Sequence, residues 1–457
     1  MMGDRLSGQE QLFYAFSLEG FVPEDHLLRS VDRFIDLAGV RTKLQPFYSS
    51  TGRPSICPEL MIRMLLVGYL LGIRSERRLC EEVHLNLAYR WFCRLGLDGQ
   101  VPDHSTFSKN RHGRFRESDI FRQLFDEVLQ RCMAEGLVGG EGFSVDASLI
   151  AADADRCKGP PGEEGLPPDK TSRAITEYLK TLDDAAFGAA TTKVPKFISA
   201  TDPASRWTGA HRGPAFFAYS VNYLIDNENA VIVDVEPSTA IRQGEILATK
   251  RMIERTEDRH ALYPERLAGD TGYGSAEMLG WLVEEKGIEP HIPVFDKSRR
   301  RDGTFSREDF RYELEGDRYV CPAGKELVRY RRAGRAAKAK PCADGLVRYY
   351  ALKADCEACP MKLRCSPKTP QRKVTRHVHE GARDLARELS KTDAYARSRR
   401  ERKKVEMCFA HLKRVLKLRQ LRLRGPTGAR DEFTLAALAQ NLRKLAKLRP
   451  MTPSPTH

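Results

Sequence analysis

Three carboxylates lie in segments for which the sequence predicts a strand or a helix. Asp146 lies in the predicted strand Phe143–Ile150, Asp270 ends a short predicted strand at 266–270, and Glu406 lies on a predicted helix. Hard divalent cations such as Mg²⁺ prefer oxygen ligands, and two of them roughly 3.5–4 Å apart can promote phosphodiester cleavage. Composition and spacing alone do not identify these three residues as a site, because most Asp and Glu residues lie on the solvated surface. Five other acids are equally good candidates on these grounds: Asp153, Asp155, Asp202, Asp226 and Asp234.

A group of cysteines could bind a second kind of metal. Cys356, Cys359 and Cys365 follow the spacing C-x2-C-x5-C, and Cys321 upstream could supply a fourth thiolate. Four thiolates are a typical ligand set of structural Zn²⁺, which would stabilise a small basic module with little core of its own.

Other interpretations of the cysteines stay open. One ligand could be replaced by Cys342, His377 or His379. The competing interpretation is that these thiols are buried and carry no metal. We expect that state for the remaining cysteines, which are Cys57, Cys80, Cys93, Cys132, Cys157 and Cys408.

The positive charge of the chain is concentrated in two segments. The 457 residues carry 76 Lys and Arg against 62 Asp and Glu, a formal net charge of +14. Residues 391–457 hold 18 basic and 5 acidic residues, which is +13 of that total, and 297–340 hold 14 and 7. Because a polyanion binds where cations cluster, nucleic acid is the expected partner. The alternative is a solvated basic face or tail, although 405–424 also carries an apolar stripe, which a mere tail would not need.

The elements that must position these residues fall into a helical part and a mixed part. Pro58, Ser75 and Asp103 mark predicted helix starts within 1–135, which suit either a helix-turn-helix module or an ordinary helical bundle. From Gly142 onward the pattern is strand, hairpin, helix, strand and helix, which indicates a mixed α/β domain. Two C-terminal helices follow, a long one from Thr392 to Leu418 and a last one from Phe433 to Leu448.

The sequence gives no indication of membrane insertion or secretion. The longest apolar run, Met64 to Ile73, is ten residues, about half of what a membrane-spanning helix needs. The N-terminus lacks the pattern of a secretory signal. We therefore expect a cytoplasmic protein with no membrane partner.

Three segments resemble the catalytic signature of prokaryotic insertion-sequence transposases of the DDE superfamily. They are FSVDASLIAA at 143–152, LAGDTGYGS at 267–275 and RKKVEMCFAHLKR at 402–414. Residues 53–111, particularly RPSICPELMIRMLLVGYLLGIRSERRL and PDHSTFSKNR, resemble the helical domain that precedes the catalytic domain in that group. The resemblance covers most of the chain, and similar cysteine-bearing insertions occur in the family.

The resemblance implies an α/β fold, with a ribonuclease H-like mixed-sheet catalytic domain, an all-α N-terminal domain and a small Cys-rich insertion. It implies that Asp146, Asp270 and Glu406 are catalytic residues that bind two Mg²⁺ or Mn²⁺ ions. Arg402 and Lys413 match the basic positions beside the family's glutamate, where they would contact DNA phosphates. We add the neighbouring basic residues Arg399, Lys403 and Arg414 to this DNA-binding set. The family's tyrosine three residues before the arginine is replaced here by Arg399.

Four domains are predicted on this basis. They are a helical DNA-binding or assembly domain at 1–135, the first part of the catalytic domain at 136–296, a basic zinc-ribbon-like insertion at 297–380, and C-terminal helices completing the catalytic domain at 381–457. The expected activity is cleavage at the ends of an element and strand transfer of the freed 3′-hydroxyl into target double-stranded DNA. A homodimer associated with a prokaryotic nucleoid is expected, because two ends must be brought together.

Two other functions remain possible from the sequence. One is a DNA-binding protein without catalysis, either a decayed transposase or a zinc-containing regulator. The other is a nuclease that does not join strands.

Overall fold

The structure is a computed structural model that describes residues 16–49, 51, 55–155, 159–166, 171–209, 213–296, 300, 302–329 and 345–450. Its N-terminal part is helical, as predicted. The helices are α1 (Leu18–Phe21), α2 (Leu27–Asp32), α3 (Val40–Leu44), α4 (Pro58–Leu71), α5 (Glu76–Leu85), α6 (Leu87–Phe92), α7 (His104–Asn110) and α8 (Ile120–Ala134). No helix of the described ranges is long and apolar enough to cross a membrane.

Local signals in the sequence start and stop these helices. Pro58 occupies the first turn of α4, where its missing N–H costs nothing. The side chains of Ser75 and Asp103 accept backbone N–H groups at the starts of α5 and α7. Gly72 ends α4 with a φ of 69°, and a Cβ there would lie 2.6 Å from the Val415 carbonyl oxygen. Only glycine fits that position.

The middle of the chain contains the predicted strand, hairpin, helix, strand and helix in that order, and also one further helix and two further strands that were not predicted. They are β1 (Gly142–Ala151), α9 (Arg173–Lys180), β2 (Arg206–Gly209), β3 (Ala215–Asp226), β4 (Ile232–Thr239), α10 (Arg242–His260), β5 (Arg266–Ala268), α11 (Ala276–Gly280) and β6 (Glu289–His291). β3 and β4 form the predicted hairpin, and Asp226 accepts the N–H of Glu228 in its turn. The helix predicted at 275–286 is instead α11 followed by a π-helical turn at 281–285.

The rest of the chain is a run of short strands followed by helices. These elements are β7 (Arg311–Glu313), β8 (Arg318–Val320), β9 (Glu326–Arg329), β10 (Leu346–Ala351), α12 (Lys353–Glu357), α13 (Lys362–Cys365), β11 (Lys373–His377), α14 (Glu380–Leu389), α15 (Asp393–Glu401), α16 (Lys403–Arg414) and α17 (Gly425–Leu448). The prediction of one long helix from Thr392 to Leu418 is wrong, because the chain turns at Arg402. α15 buries only Ser398, so no shared apolar face supports a continuous helix.

The elements fall into two compact units. The first comprises the described residues of 1–140, 145–263 and 403–457. In it β3 pairs antiparallel with β2 and β4, and β1 lies beside β3. α17 is apolar around most of its circumference and contacts α2, α4, α8, α9 and β4, so it is the central helix of this unit.

The second unit comprises 141–144 and the described residues of 264–402. In it β5 pairs parallel with the start of β1 and with β6. A separate antiparallel sheet has the order β11-β10-β9-β8-β7. Its core consists of Phe310, Tyr319, Leu327, Tyr349, Ala351 and Val374. The parallel and antiparallel pairings, together with the helices, confirm the predicted mixed α/β class.

A buried carboxylate fixes the chain where α16 leads into α17. Glu432 on α17 is fully buried, and its Oε1 accepts the backbone N–H groups of Arg422 at 2.5 Å and Leu423 at 2.6 Å. Its other oxygen forms an ion pair with Arg74, which follows α4. Because one acid neutralises a buried guanidinium and satisfies two backbone donors, its loss would leave Arg74 without this counter-ion and both N–H groups without this acceptor.

Glu432→Ala is therefore expected to destabilise the protein by about 3–5 kcal/mol, the usual cost of leaving a buried charge unpaired. Glu127→Ala is the matched control, because Glu127 forms an ion pair with Lys43 in which both side chains are more than 40% exposed. Exposed pairs contribute about 0–1 kcal/mol. The measurement is the shift of the urea unfolding midpoint, and equal shifts for the two variants would contradict the importance of the Glu432 network.

Candidate active site

Asp146 lies in the part of β1 that belongs to the first unit. Its side chain is half-buried, and Oδ1 accepts the backbone N–H of Ala147 at 2.8 Å. Because side chains alternate between the two faces of a strand, Asp146 and Ser148 lie on the same face of β1. The strand therefore presents a carboxylate and a hydroxyl side by side.

Glu406 lies on α16, whose neighbouring face is firmly packed. The predicted apolar residues Val405, Phe409 and Leu412 are all buried, as is Leu416 just beyond the helix. The Phe409 ring stacks on Tyr223 of β3 with centroids 4.9 Å apart and planes at 17°. Glu406 itself is exposed. The packing therefore fixes the helix while its acidic residue faces away from the core.

A polar clamp on the same helix adds to this packing. The Tyr223 hydroxyl donates to Gln440 Oε1, and Gln440 Nε2 donates to the Cys408 carbonyl oxygen, both at 2.9 Å. Sequence reasoning missed Tyr223 and Gln440. No local pattern marks them, since each acts on a residue more than thirty positions away.

A hydrogen bond joins the helix of Glu406 to the strand of Asp146. Lys413 Nζ donates to Ser148 Oγ at 2.7 Å. Glu406 and Lys413 are seven residues apart, so they share one face of α16. The bond therefore ties the helix face with Glu406 to the strand face with Asp146. Burial lowers the pKa of Lys413, and the charge of Arg419 acts in the same direction.

Asp270 belongs to the second unit, directly after β5. Its carboxylate accepts the N–H of Gly272 at 2.7 Å and so caps the single 3₁₀ turn Thr271–Tyr273. In this unit β1 and β5 pair in parallel as far as Ser144 and Ala268. Asp270 thus stands two residues beyond the carboxyl end of its strand, the position where functional groups often stand in parallel sheets.

Within the described ranges, no three His, Cys, Asp or Glu side chains form a group that could hold a metal ion as placed. The convergence of Asp146, Asp270 and Glu406 on common metal ions stays a prediction. Their chemistry suits that role, because all three donors are carboxylate oxygens of the kind that Mg²⁺ and Mn²⁺ prefer.

The predicted DNA-binding residues are distributed over α15, the turn at 402 and α16. Arg399 on α15 is exposed, as are Lys403 and Arg414 on α16. Arg402 is half-buried in the turn, so it does not share a continuous helix with Glu406 as the sequence suggested. DNA contact by these residues and by Lys413 stays a prediction.

The cysteines at 321, 356, 359 and 365 line one small cavity of about 20 Å³ in the second unit. Two of the sulfurs accept backbone N–H groups, Cys321 from Lys325 at 3.3 Å and Cys356 from Arg372 at 3.5 Å. Burial raises the pKa of Cys365, and the charges of the other three thiols add to that effect. The four thiols are thus neighbours, although zinc binding stays a prediction.

The other cysteines and histidines considered from the sequence lie elsewhere. Cys80, Cys93, Cys132 and Cys408 are buried as expected, but Cys57 is exposed because it immediately precedes α4 at the surface. Cys157 and Cys342 fall outside the described residues. His377 and His379 lie close to Glu277 and Glu284 and do not line the cysteine cavity.

Phe409→Ala is expected to loosen α16, because removing a buried phenyl ring typically costs about 3–5 kcal/mol. Met407→Ala on the same helix is the matched control, since Met407 is 70% exposed and its truncation should cost no more than about 0.5 kcal/mol. The measurement is amide hydrogen exchange over 403–414. Equal protection of this segment in the two variants would show that the Tyr223–Phe409 stack does not hold the helix.

Comparison with known protein families identifies two matching domains. Residues 16–113 match a transposase domain, DUF772, and residues 320–446 match a transposase DDE domain. Glu406 and the four cavity cysteines lie inside the second match, whereas Asp146 and Asp270 lie between the two matches. No solved structure gives a significant match. A transposase DDE domain implies a ribonuclease H-like fold and a metal-dependent enzyme that acts on DNA, and the two matches together support an insertion-sequence transposase of the DDE superfamily.

Proposed function

We propose that this transposase cleaves DNA hydrolytically at the ends of its element and transfers the freed 3′-hydroxyl into target DNA. The hydrogen bond between Lys413 and Ser148 carries this proposal, because it ties the faces of α16 and β1 on which Glu406 and Asp146 lie. Hydrolysis breaks a phosphodiester P–O bond and leaves a 3′-hydroxyl. In the second reaction that hydroxyl attacks a target phosphodiester, so one bond forms as another breaks.

We propose that Asp146, Asp270 and Glu406 hold two divalent metal ions, Mg²⁺ or Mn²⁺. The carboxylate oxygens of all three residues would be the ligands of these ions. Asp146 and Asp270 each lie two residues beyond the last paired positions, Ser144 and Ala268, which supports a common role. When bound, the ions activate the attacking oxygen and stabilise the leaving one. The three carboxylates contribute the negative charge and fixed positions that such ions require.

Basic residues near Glu406 would hold the DNA strand for the reaction. We propose that Arg402, Lys413, Arg399, Lys403 and Arg414 contact phosphates of the element end. Arginine suits this task because its guanidinium group can donate two parallel hydrogen bonds to one phosphate. Lys413 also donates to Ser148, so its ammonium group is held in place before DNA binds.

We further propose a homodimer as the active assembly on double-stranded DNA. Transposition joins two element ends, and two copies of one chain offer each end an equivalent site.

We propose that Cys321, Cys356, Cys359 and Cys365 bind one structural Zn²⁺ ion. Their shared cavity supports this assignment, because the four ligands of one tetrahedral ion must lie close together, and two of the sulfurs accept backbone N–H groups. The ion would stabilise the five-stranded sheet, whose core is small, because Cys321, Cys356 and Cys365 pack against that core.

Asp270→Asn is expected to abolish Mg²⁺-dependent cleavage of the DNA flanking the gene and to leave DNA binding largely intact. Asparagine can still accept the Gly272 N–H, so the 3₁₀ turn persists while the metal-binding charge is lost. Glu406→Gln should behave in the same way. Asp155→Asn is the matched control, because Asp155 is an exposed acid close in sequence to β1.

Cleavage products are read on a sequencing gel and joined products in a strand-transfer assay. Full cleavage by Asp270→Asn would refute the proposed metal site. Cleavage without joined products in the wild-type protein would leave a nuclease as the function.

Removing the cavity thiols should remove the zinc. We expect about one zinc per chain in the purified protein, and a large loss of bound zinc in Cys359→Ser. Cys57→Ser is the matched control, because Cys57 is exposed and lies outside the cavity. The measurement is zinc content by mass spectrometry, with the thermal unfolding midpoint as a second readout. Unchanged zinc content in Cys359→Ser would contradict the assignment.

A further inference from the structure

The segment between α16 and α17 presents two arginines from a fixed backbone. In residues 421–424, Leu421 and Leu423 are buried, whereas Arg422 and Arg424 are exposed, so apolar and basic residues alternate. The backbone is anchored on both sides of this segment. Leu421 N donates to the Ala151 carbonyl at the end of β1, and Glu432 accepts the N–H groups of Arg422 and Leu423. Because the backbone is already ordered, binding of a ligand would need to fix only the side chains of these arginines.

These arginines form one wall of a large cationic cavity in the first unit. The cavity has a volume of about 810 Å³. Its charged or titratable lining residues are Arg116, Arg173, Arg422, Arg424, His112 and Asp153. Four guanidinium groups thus face a single lining carboxylate. Asp153 follows the end of β1 by two residues, so the cavity lies just beyond the strand that carries Asp146.

Internal ion pairs only partly neutralise this charge. Arg116 and Arg173 share Glu177, each with an N–O distance of 2.9 Å. Arg424 Nε lies 2.8 Å from Asp153 Oδ2, and both side chains are solvent-accessible. Arg422 forms no ion pair with any residue in the described part of the chain. The cavity therefore keeps an excess of positive charge that an anion would neutralise.

We propose that this cavity, which we call the 422/424 cleft, binds the sugar-phosphate backbone of DNA. The inference rests on the proposed function for the identity of its ligand. A volume of about 810 Å³ exceeds what one phosphate ion needs, which favours a polyanion that offers several phosphates in a row. Arginines suit phosphate oxygens because each can donate two parallel hydrogen bonds. None of the four arginines belongs to the basic set around Glu406, so the cleft is an additional DNA contact.

The test is the salt dependence of binding to a fluorescent double-stranded DNA, measured by anisotropy in the absence of divalent metal. Each lost phosphate contact should reduce the slope of log K against log salt concentration by about 0.9. Arg422→Ala and Arg424→Ala are each expected to show that reduction, and the double variant about twice as much. Arg424→Lys keeps the charge and should keep the slope.

Two further variants test whether the loss of any exposed arginine, or misfolding, could explain the result. Arg259→Ala is the matched control, because Arg259 is 47% exposed and pairs with an acid at 2.7 Å, much like Arg424. Its slope should not change. Asp153→Asn should bind DNA more tightly than the wild type, since it removes the one carboxylate facing the phosphates, and a misfolded protein would not gain affinity.

An unchanged slope in the double variant, or weaker binding by Asp153→Asn, would show that the 422/424 cleft does not bind DNA. Because no metal is present, the outcome does not depend on cleavage. Wild-type cleavage together with an unchanged slope would refute the cleft alone. Absence of cleavage together with the expected slopes would refute the catalytic proposal alone.

Discussion

The buried carboxylate of Glu432 is the constraint on which the arrangement of the first unit depends. It lies on the central helix α17, neutralises Arg74 and holds the backbone of Arg422 and Leu423. Since a buried ion pair of this kind gains little free energy over an apolar pair, its effect is mainly to permit one geometry and exclude others. That geometry places the segment after α16 against the end of β1.

The position of α16 follows from this constraint and from its own apolar face. The stack of Phe409 on Tyr223 and the clamp through Gln440 hold one side of the helix. The Lys413–Ser148 bond holds the other side against β1. These contacts fix the backbone of the helix at Glu406, which would favour the proposed metal binding because a ligand on a rigid element is already positioned. The position of Glu406 therefore depends on residues other than itself.

The five-stranded sheet of the second unit illustrates a different way to stabilise a small fold. Among the residues that the structure describes, six form its buried core, and three of the four cavity cysteines pack against them. A core of this size contributes limited hydrophobic free energy. The zinc ion proposed at the clustered thiols would supply the cross-link that small modules commonly use instead.

The sequence by itself determined the helical character of the N-terminal part, the helix starts at Pro58, Ser75 and Asp103, the β3–β4 hairpin and the buried face of α16. These features depend on local periodicity and capping, which neighbouring residues decide. Tertiary structure alone decided the turn at Arg402, the exposure of Cys57, the Lys413–Ser148 bond and the role of Glu432. Such features depend on contacts between residues far apart in the chain, and no local pattern encodes which distant partner a side chain will meet.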